Sequence, residues 1–159
     1  MDKRPSSSET NSIEESKKVL KQFSHLEFIE FESYDSQWLQ VFNAPLEQFS
    51  LIDSEPTYSK SVGDSNEAHI SWFESSLNFL KEKKEWLILV PNCPLPIWAN
   101  VKVLNFSKAV EELWQTSESH NFIITDKSSG TLAQIFSVEK NYEIHIAKCD
   151  VNTIEQKNP

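Results

Sequence analysis

The chain has 159 residues, 24 acidic against 15 basic side chains for a formal charge of −9, and an apolar fraction of 38%. Its only arginine is Arg4 and its only glycines are Gly63 and Gly130. Phosphate-cradling loops need clustered glycines, and polyanion grooves need arginine forks on a basic surface, so this composition argues against nucleotide and nucleic-acid partners.

No run approaches the roughly 20 apolar residues of a membrane span, and the start, Met1 to Arg4 before Pro5 and a serine run, lacks the apolar core of a secretory signal. The expectation is a cytoplasmic protein with no membrane partner. Cys93 and Cys149 are the only cysteines and form no CxxC, so reduced thiols are expected rather than a disulfide framework. Five tryptophans, three tyrosines and ten phenylalanines supply enough large apolar surface for one cooperative core.

Residues 1–11 and 150–159 are polar and aperiodic and read as tails, leaving residues 12–149 as one globular domain. Ser12 and Glu15 form an S-x-x-E capping box, and Ile13, Val19, Leu20 and Phe23 follow at helical spacing, which predicts a helix over 13–23. Leu26 to Glu32 mixes alternation with β-promoting residues and predicts a strand with Leu26, Phe28 and Phe31 inward. Asp35 or Ser36 then caps a short helix carrying Trp38, Leu39, Val41 and Phe42 that Pro45 should end. Phe49 to Ile52 reads as a short strand, opening into a polar loop from Asp53 to Asp64.

Ser65 begins the clearest helical pattern, with Ile70, Phe73, Leu77 and Leu80 on one stripe and Lys81, Lys83 and Lys84 at its end. Trp86 to Val90 is a continuous apolar run stopped by Pro91, the signature of a strand buried on both faces at the sheet centre. Val101 to Phe106 reads as a strand, followed by a helix capped by Ser107 with Val110, Leu113 and Trp114 inward. Three strands close the domain, Phe122 to Thr125, Thr131 to Val138 and Tyr142 to Ala147, with turns at 127–130 and 139–141. The fold class is α+β: a mixed or largely antiparallel sheet packed by helices and ending in a β-meander.

Chemistry is sparse. His25, His69, His120 and His145 lie in separate elements without metal-ligand spacing, so neither a metal nor a cofactor is expected. Cys93, in the loop Pro91 to Pro94, has no neighbouring cation to lower its pKa, and it and His145 are the residues an unrecognised enzyme would use. The paired carboxylates Glu14-Glu15 and Glu111-Glu112 fit exposed helix faces. No enzyme activity is expected.

Charge is distributed unevenly. Between Lys21 and Lys81 stand ten carboxylates, Glu27, Glu30, Glu32, Asp35, Glu47, Asp53, Glu55, Asp64, Glu67 and Glu74, against Lys60 as the one lysine or arginine. Such a field attracts cationic partners and repels polyanions, although excess acid also serves solubility. The loop Cys93 to Trp98, held extended by Pro94 and Pro96, offers Leu95, Ile97 and Trp98 as interface anchors or as a cluster tucked under the sheet.

In its small size, strong acidity, α-β order ending in the hairpins Phe122 to Ala147, and absence of site chemistry, the chain resembles bacterial immunity proteins of contact-dependent inhibition and related polymorphic toxin systems. The resemblance implies tight binding to a cognate toxin domain, often a basic nuclease, whose active site or neighbouring surface is occluded. Glu27, Glu30, Glu32, Asp35, Asp53, Glu55, Asp64 and Glu67 would then steer the cationic partner, with Trp38, Tyr58, Trp72 or Trp98 as desolvated anchors. A regulatory or scaffold adaptor binding through residues 93–98 is the alternative.

Overall fold

Runs of β-branched and aromatic residues between turn formers build the sheet, and apolar stripes at helical spacing cover it. In the computed structural model, which describes residues 7–33, 35–51, 53–61, 66–93, 95–138 and 141–149, the helices are α1 (Ser7–Lys21), α2 (Gln37–Phe49), α3 (Asn66–Ser76) and α4 (Phe106–Thr116). A 3-10 turn, Asn78–Leu80, follows α3. The strands are β1 (Leu26–Phe31), β2 (Tyr58–Ser61), β3 (Glu85–Leu89), β4 (Trp98–Val103), β5 (Phe122–Asp126), β6 (Thr131–Val138) and β7 (Asn141–Lys148).

All seven strands join one antiparallel sheet in the order β1-β4-β3-β5-β6-β7-β2. The fold is α+β, and β5 to β7 form the expected meander. Alternation along the strands divides the apolar residues between two faces. Trp86 and Ile88 face a large cluster with Val101, Ile124, Ile135 and Ile144, closed by Leu20 of α1, Phe73 of α3 and Leu113 of α4. Leu87 and Leu132 face the other way, where α2 covers them with Phe42, flanked by Trp38, Leu39, Leu46 and Phe49. The apolar run Trp86 to Val90 is interior as expected, while β5, buried along its whole length, takes the middle position.

Several boundaries differ from the sequence expectation. The first helix begins at Ser7, inside the stretch read as a tail, and ends at Lys21. Polar residues can extend a helix without altering its buried stripe, so apolar spacing does not locate that end. Pro45 lies inside α2 instead of ending it, and Phe49, expected to start a strand, is the last helical residue. Proline removes the N–H that would bond the carbonyl four residues back, here that of Val41. The Cys149 thiol, 3.8 Å away, donates to that same carbonyl, and burial raises the thiol pKa, which keeps the donor proton in place.

Ser36 is the N-cap of α2, its Oγ accepting from the Leu39 N–H. The Asp53 to Asp64 loop contains β2, formed by pairing with β7. Ser65 and Asp64 lie outside the described residues. The strand expected from Val101 starts at Trp98, because that segment is paired on both sides, by β1 and β3. Asn105 rather than Ser107 caps α4, its Oδ1 accepting from Lys108 N–H at 3.0 Å, while the Ser107 hydroxyl donates to Glu74 of α3.

Two left-handed residues shape the end of the molecule beyond α4. Asn92 (φ 64°) brackets the end of that helix, donating to the Thr116 carbonyl at 2.7 Å and accepting from Glu118 N–H at 2.9 Å. His120 (φ 60°) stacks on Trp114 with ring centroids 4.7 Å apart and places Nδ1 2.9 Å from the Trp114 carbonyl.

Candidate functional site

The sheet order decides what the carboxylates can do together. Strands β1 and β2 terminate opposite ends of the sheet, six strand steps apart, so at about 4.8 Å per step they stand roughly 29 Å from each other. Glu27, Glu30, Glu32 and Asp35 belong to the β1 end. Asp53 and Glu55 belong to the other, in the link between α2 and β2, where they line a cleft with His145 and Ala147. Glu67 lies in the first turn of α3. The acidic stretch therefore forms separate patches rather than one face.

Not every carboxylate is available. Glu32 is held inside the molecule, accepting from Lys127 Nζ at 2.6 Å and Asn100 Nδ2 at 2.9 Å. Burial alone would raise its pKa, but the bonds from Asn100, Lys127 and Ser36 and the Lys127 charge outweigh burial and hold it below the usual carboxylate range. The same Lys127 lies 5.6 Å from the Trp38 ring centroid, so this contact ties β1 to α2. Glu112 is similarly engaged, accepting from the N–H groups of Ser24 and His25 at 2.7 and 2.8 Å. Glu27, Glu30, Asp53, Glu55 and Glu67 are exposed and have no ion pair among the described residues.

The aromatic candidates divide likewise. Trp38 and Trp98 are half-buried in the cluster under α2, and Trp72 packs against the large core. Only Tyr58 among them is counted with the exposed large side chains. The loop at 93–97 gives Ile97 and Cys93 to the large core, so the tucked arrangement is the one observed for those residues. Phe28 and Ile29 on β1, by contrast, retain 40% and 45% exposure. Phe28 was expected inward; it does lie opposite Val101 on the side of the large cluster, but an end strand has a neighbour on one side only. Ile29 is the extra residue of a β-bulge between Phe28 and Glu30, which no alternation pattern encodes.

The structure also assembles a constellation that sequence reading missed. Ser54 Oγ is 3.4 Å from His145 Nδ1, and Glu143 Oε1 is 3.6 Å from His145 Nε2. The imidazole is wedged between Phe49 and Phe136, centroids 5.2 and 5.3 Å away, beside a cleft of about 440 Å³. Serine, histidine and carboxylate in line have the order of a nucleophile, its base and an orienting group.

The surroundings oppose that chemistry. Asp53 and Glu55 flank Ser54 and line the same cleft, so an oxyanion formed there would meet negative charge. The Ser54 N–H, a natural oxyanion donor, is already bonded to the Leu51 carbonyl at 3.0 Å. A fluorophosphonate probe is therefore expected to leave the intact mass unchanged. A single adduct that disappears in Ser54→Ala would make Ser54 a working nucleophile.

Cys93 offers no better prospect. Burial, followed by the charge of Glu15, raises its pKa, which disfavours the reactive thiolate. His69 sits in the aromatic core against Tyr142 and Trp114, and neither ring nitrogen has a partner among the described residues. Among those residues no group of three or more His, Cys, Asp or Glu is placed to hold a metal ion, and no helix is long and apolar enough to cross a membrane.

No family model matches the chain, and no curated protein or solved structure matches it. Its functional reading rests on its own geometry.

Proposed function

We propose that this chain is a non-enzymatic inhibitor of the immunity-protein type, acting in the cytoplasm, which binds and neutralises a cationic protein such as a basic toxin domain. One observation carries the reading: at the β1 end of the sheet, Glu27 and Glu30 are exposed and unpaired among the described residues and lie beside exposed Phe28 and Ile29. Charge that steers an encounter and apolar surface that holds it are thereby adjacent, the combination a fast and lasting interface requires. Lys102, directly across from Glu27 in the ladder, offsets part of this charge without forming an ion pair to it among the described residues.

The adaptor reading through residues 93–98 has less support, since Cys93, Ile97 and Trp98 are engaged in the chain's own packing. The expected partner, recovered by co-purification from the native host and identified by mass spectrometry, is basic. Its association should slow about tenfold or more between low and physiological salt, and Glu27→Lys with Glu30→Lys should slow it by a similar factor. An acidic partner, or association indifferent to both salt and charge reversal, would overturn the reading.

A further inference from the structure

An end strand leaves every other N–H and C=O pointing away from the sheet, and proteins ordinarily blunt such edges with brevity, charge or a bulge. The two edges of this sheet are treated differently. Strand β2 has four residues, Tyr58-Ser59-Lys60-Ser61, and is polar apart from its tyrosine. Strand β1 has six, Leu26-Glu27-Phe28-Ile29-Glu30-Phe31, and leaves two large apolar side chains in solvent. Its bulge projects Ile29, and its exposed charges are both negative.

We infer that the β1 edge accepts an extended segment of a cationic partner, which adds to the sheet as an eighth strand. This deepens the proposed inhibitor function and rests on it, specifying where and in what conformation the partner binds. Backbone pairing to β1 would supply affinity. The exposed Phe28 and Ile29 would select apolar side chains, and Glu27 and Glu30 would select lysine or arginine at the flanking positions. The bulge interrupts the ladder, which restricts the added strand to a short stretch of about five residues.

A second copy of this chain is the occupant that the charges disfavour. Antiparallel self-pairing centred on β1, with the bulge taken as one position, would set Glu27 of one copy against the Ile29-Glu30 bulge of the other while Phe28 met Phe28. Like charges directly opposite destabilise such a pair. The pattern thus opposes self-association and leaves the edge open to an oppositely charged strand.

The test uses the full chain and synthetic peptides. An eight-residue capped peptide alternating lysine with valine should shift amide resonances of residues 26–31 and slow their hydrogen exchange. A matching glutamate-valine peptide should bind at least tenfold more weakly. Ile29→Lys, a substitution at an exposed position that places a cation on the edge, should weaken the lysine peptide at least tenfold, while Tyr58→Lys on the opposite edge should leave it unchanged.

Equal binding of both peptides, perturbations centred on residues 58–61, or a dimer of the free protein in light scattering would each overturn edge addition. None of these readouts involves the native partner. The inhibitor reading would survive them, provided the co-purified partner is basic and its association salt-dependent, and it would fall separately if that partner proved acidic.

Discussion

Phe42→Ala is expected to lower the unfolding free energy by about 3–5 kcal/mol, the range for truncating a fully buried phenylalanine. Phe42 is completely buried and, with Leu87 and Leu132, forms the centre of the smaller cluster. The Trp38 ring stacks on it at 6.0 Å, and α2 carries no other fully sealed side chain. On the opposite face three helices share the covering, so a single truncation there leaves neighbours to close the gap. Under α2, Phe42 is the one fully buried side chain that the helix supplies.

The effect should also be localised. Loss of Phe42 would let α2 open before the sheet does, so its amides should exchange at a lower free energy than those of β5. Urea unfolding followed by tryptophan fluorescence, together with exchange resolved by residue, measures both quantities. A loss below 1 kcal/mol, or uniform exchange across α2 and β5, would show that α2 is not anchored through this ring.

The second large effect is expected at the turn joining β5 to β6. The Asp126 side chain, 4% exposed, accepts from Ser128 N–H and from the hydroxyls of Ser128 and Ser129, with Lys83 Nζ 3.4 Å away. Gly130, at φ 71°, completes the turn, and its carbonyl receives the Cys149 N–H at 2.7 Å. Removing the carboxylate in Asp126→Ala strips several donors of a charged acceptor at once, which should cost about 3 kcal/mol.

Acid supplies a matching test. Burial would raise the Asp126 pKa, but the bonds from Ser129 and Ser128 and the Lys83 charge lower it below the ordinary value. A carboxyl with a depressed folded pKa contributes stability that is fully present above its unfolded value and disappears as pH falls through the folded one. The stability difference between the native chain and Asp126→Ala should therefore be largest near neutrality and shrink below the ordinary aspartate range. Part of the acid response should persist in the variant, because Glu32 is depressed in the same direction. A difference independent of pH would remove the carboxylate's charge from the explanation.

Much of the secondary structure was legible from local pattern. The run at 86–90 reads as a buried strand because apolar residues on consecutive positions suit only an element covered on both faces, and β3 is covered by α2 on one side and the large core on the other. Of the stripe Ile70, Phe73, Leu77 and Leu80, the last three are buried and Ile70 partly so, although α3 ends at Ser76 and Leu80 stands in the 3-10 turn beyond it. The exceptions share a feature. Pro45 stands inside a helix that packs on the sheet through Phe42, and a thiol 108 residues away donates to the Val41 carbonyl that proline leaves without its helical donor. Strand β2 forms from an unremarkable polar segment because β7 presents it an open edge. Ser54 meets His145 across 91 residues.

The candidate site follows the same division. The charge count of the 27–74 stretch and the shortage of arginine and glycine come from residue identity and are independent of folding. The sheet order distributes those carboxylates to opposite ends, retires Glu32 into an internal pair with Lys127, and brings Phe28 and Ile29 to solvent beside Glu27 and Glu30. Periodicity reports which side of an element is apolar, because burial acts residue by residue along the local chain. Which strands end the sheet is set by pairings between distant segments, and that choice determines where an open, acidic and apolar edge meets the solvent.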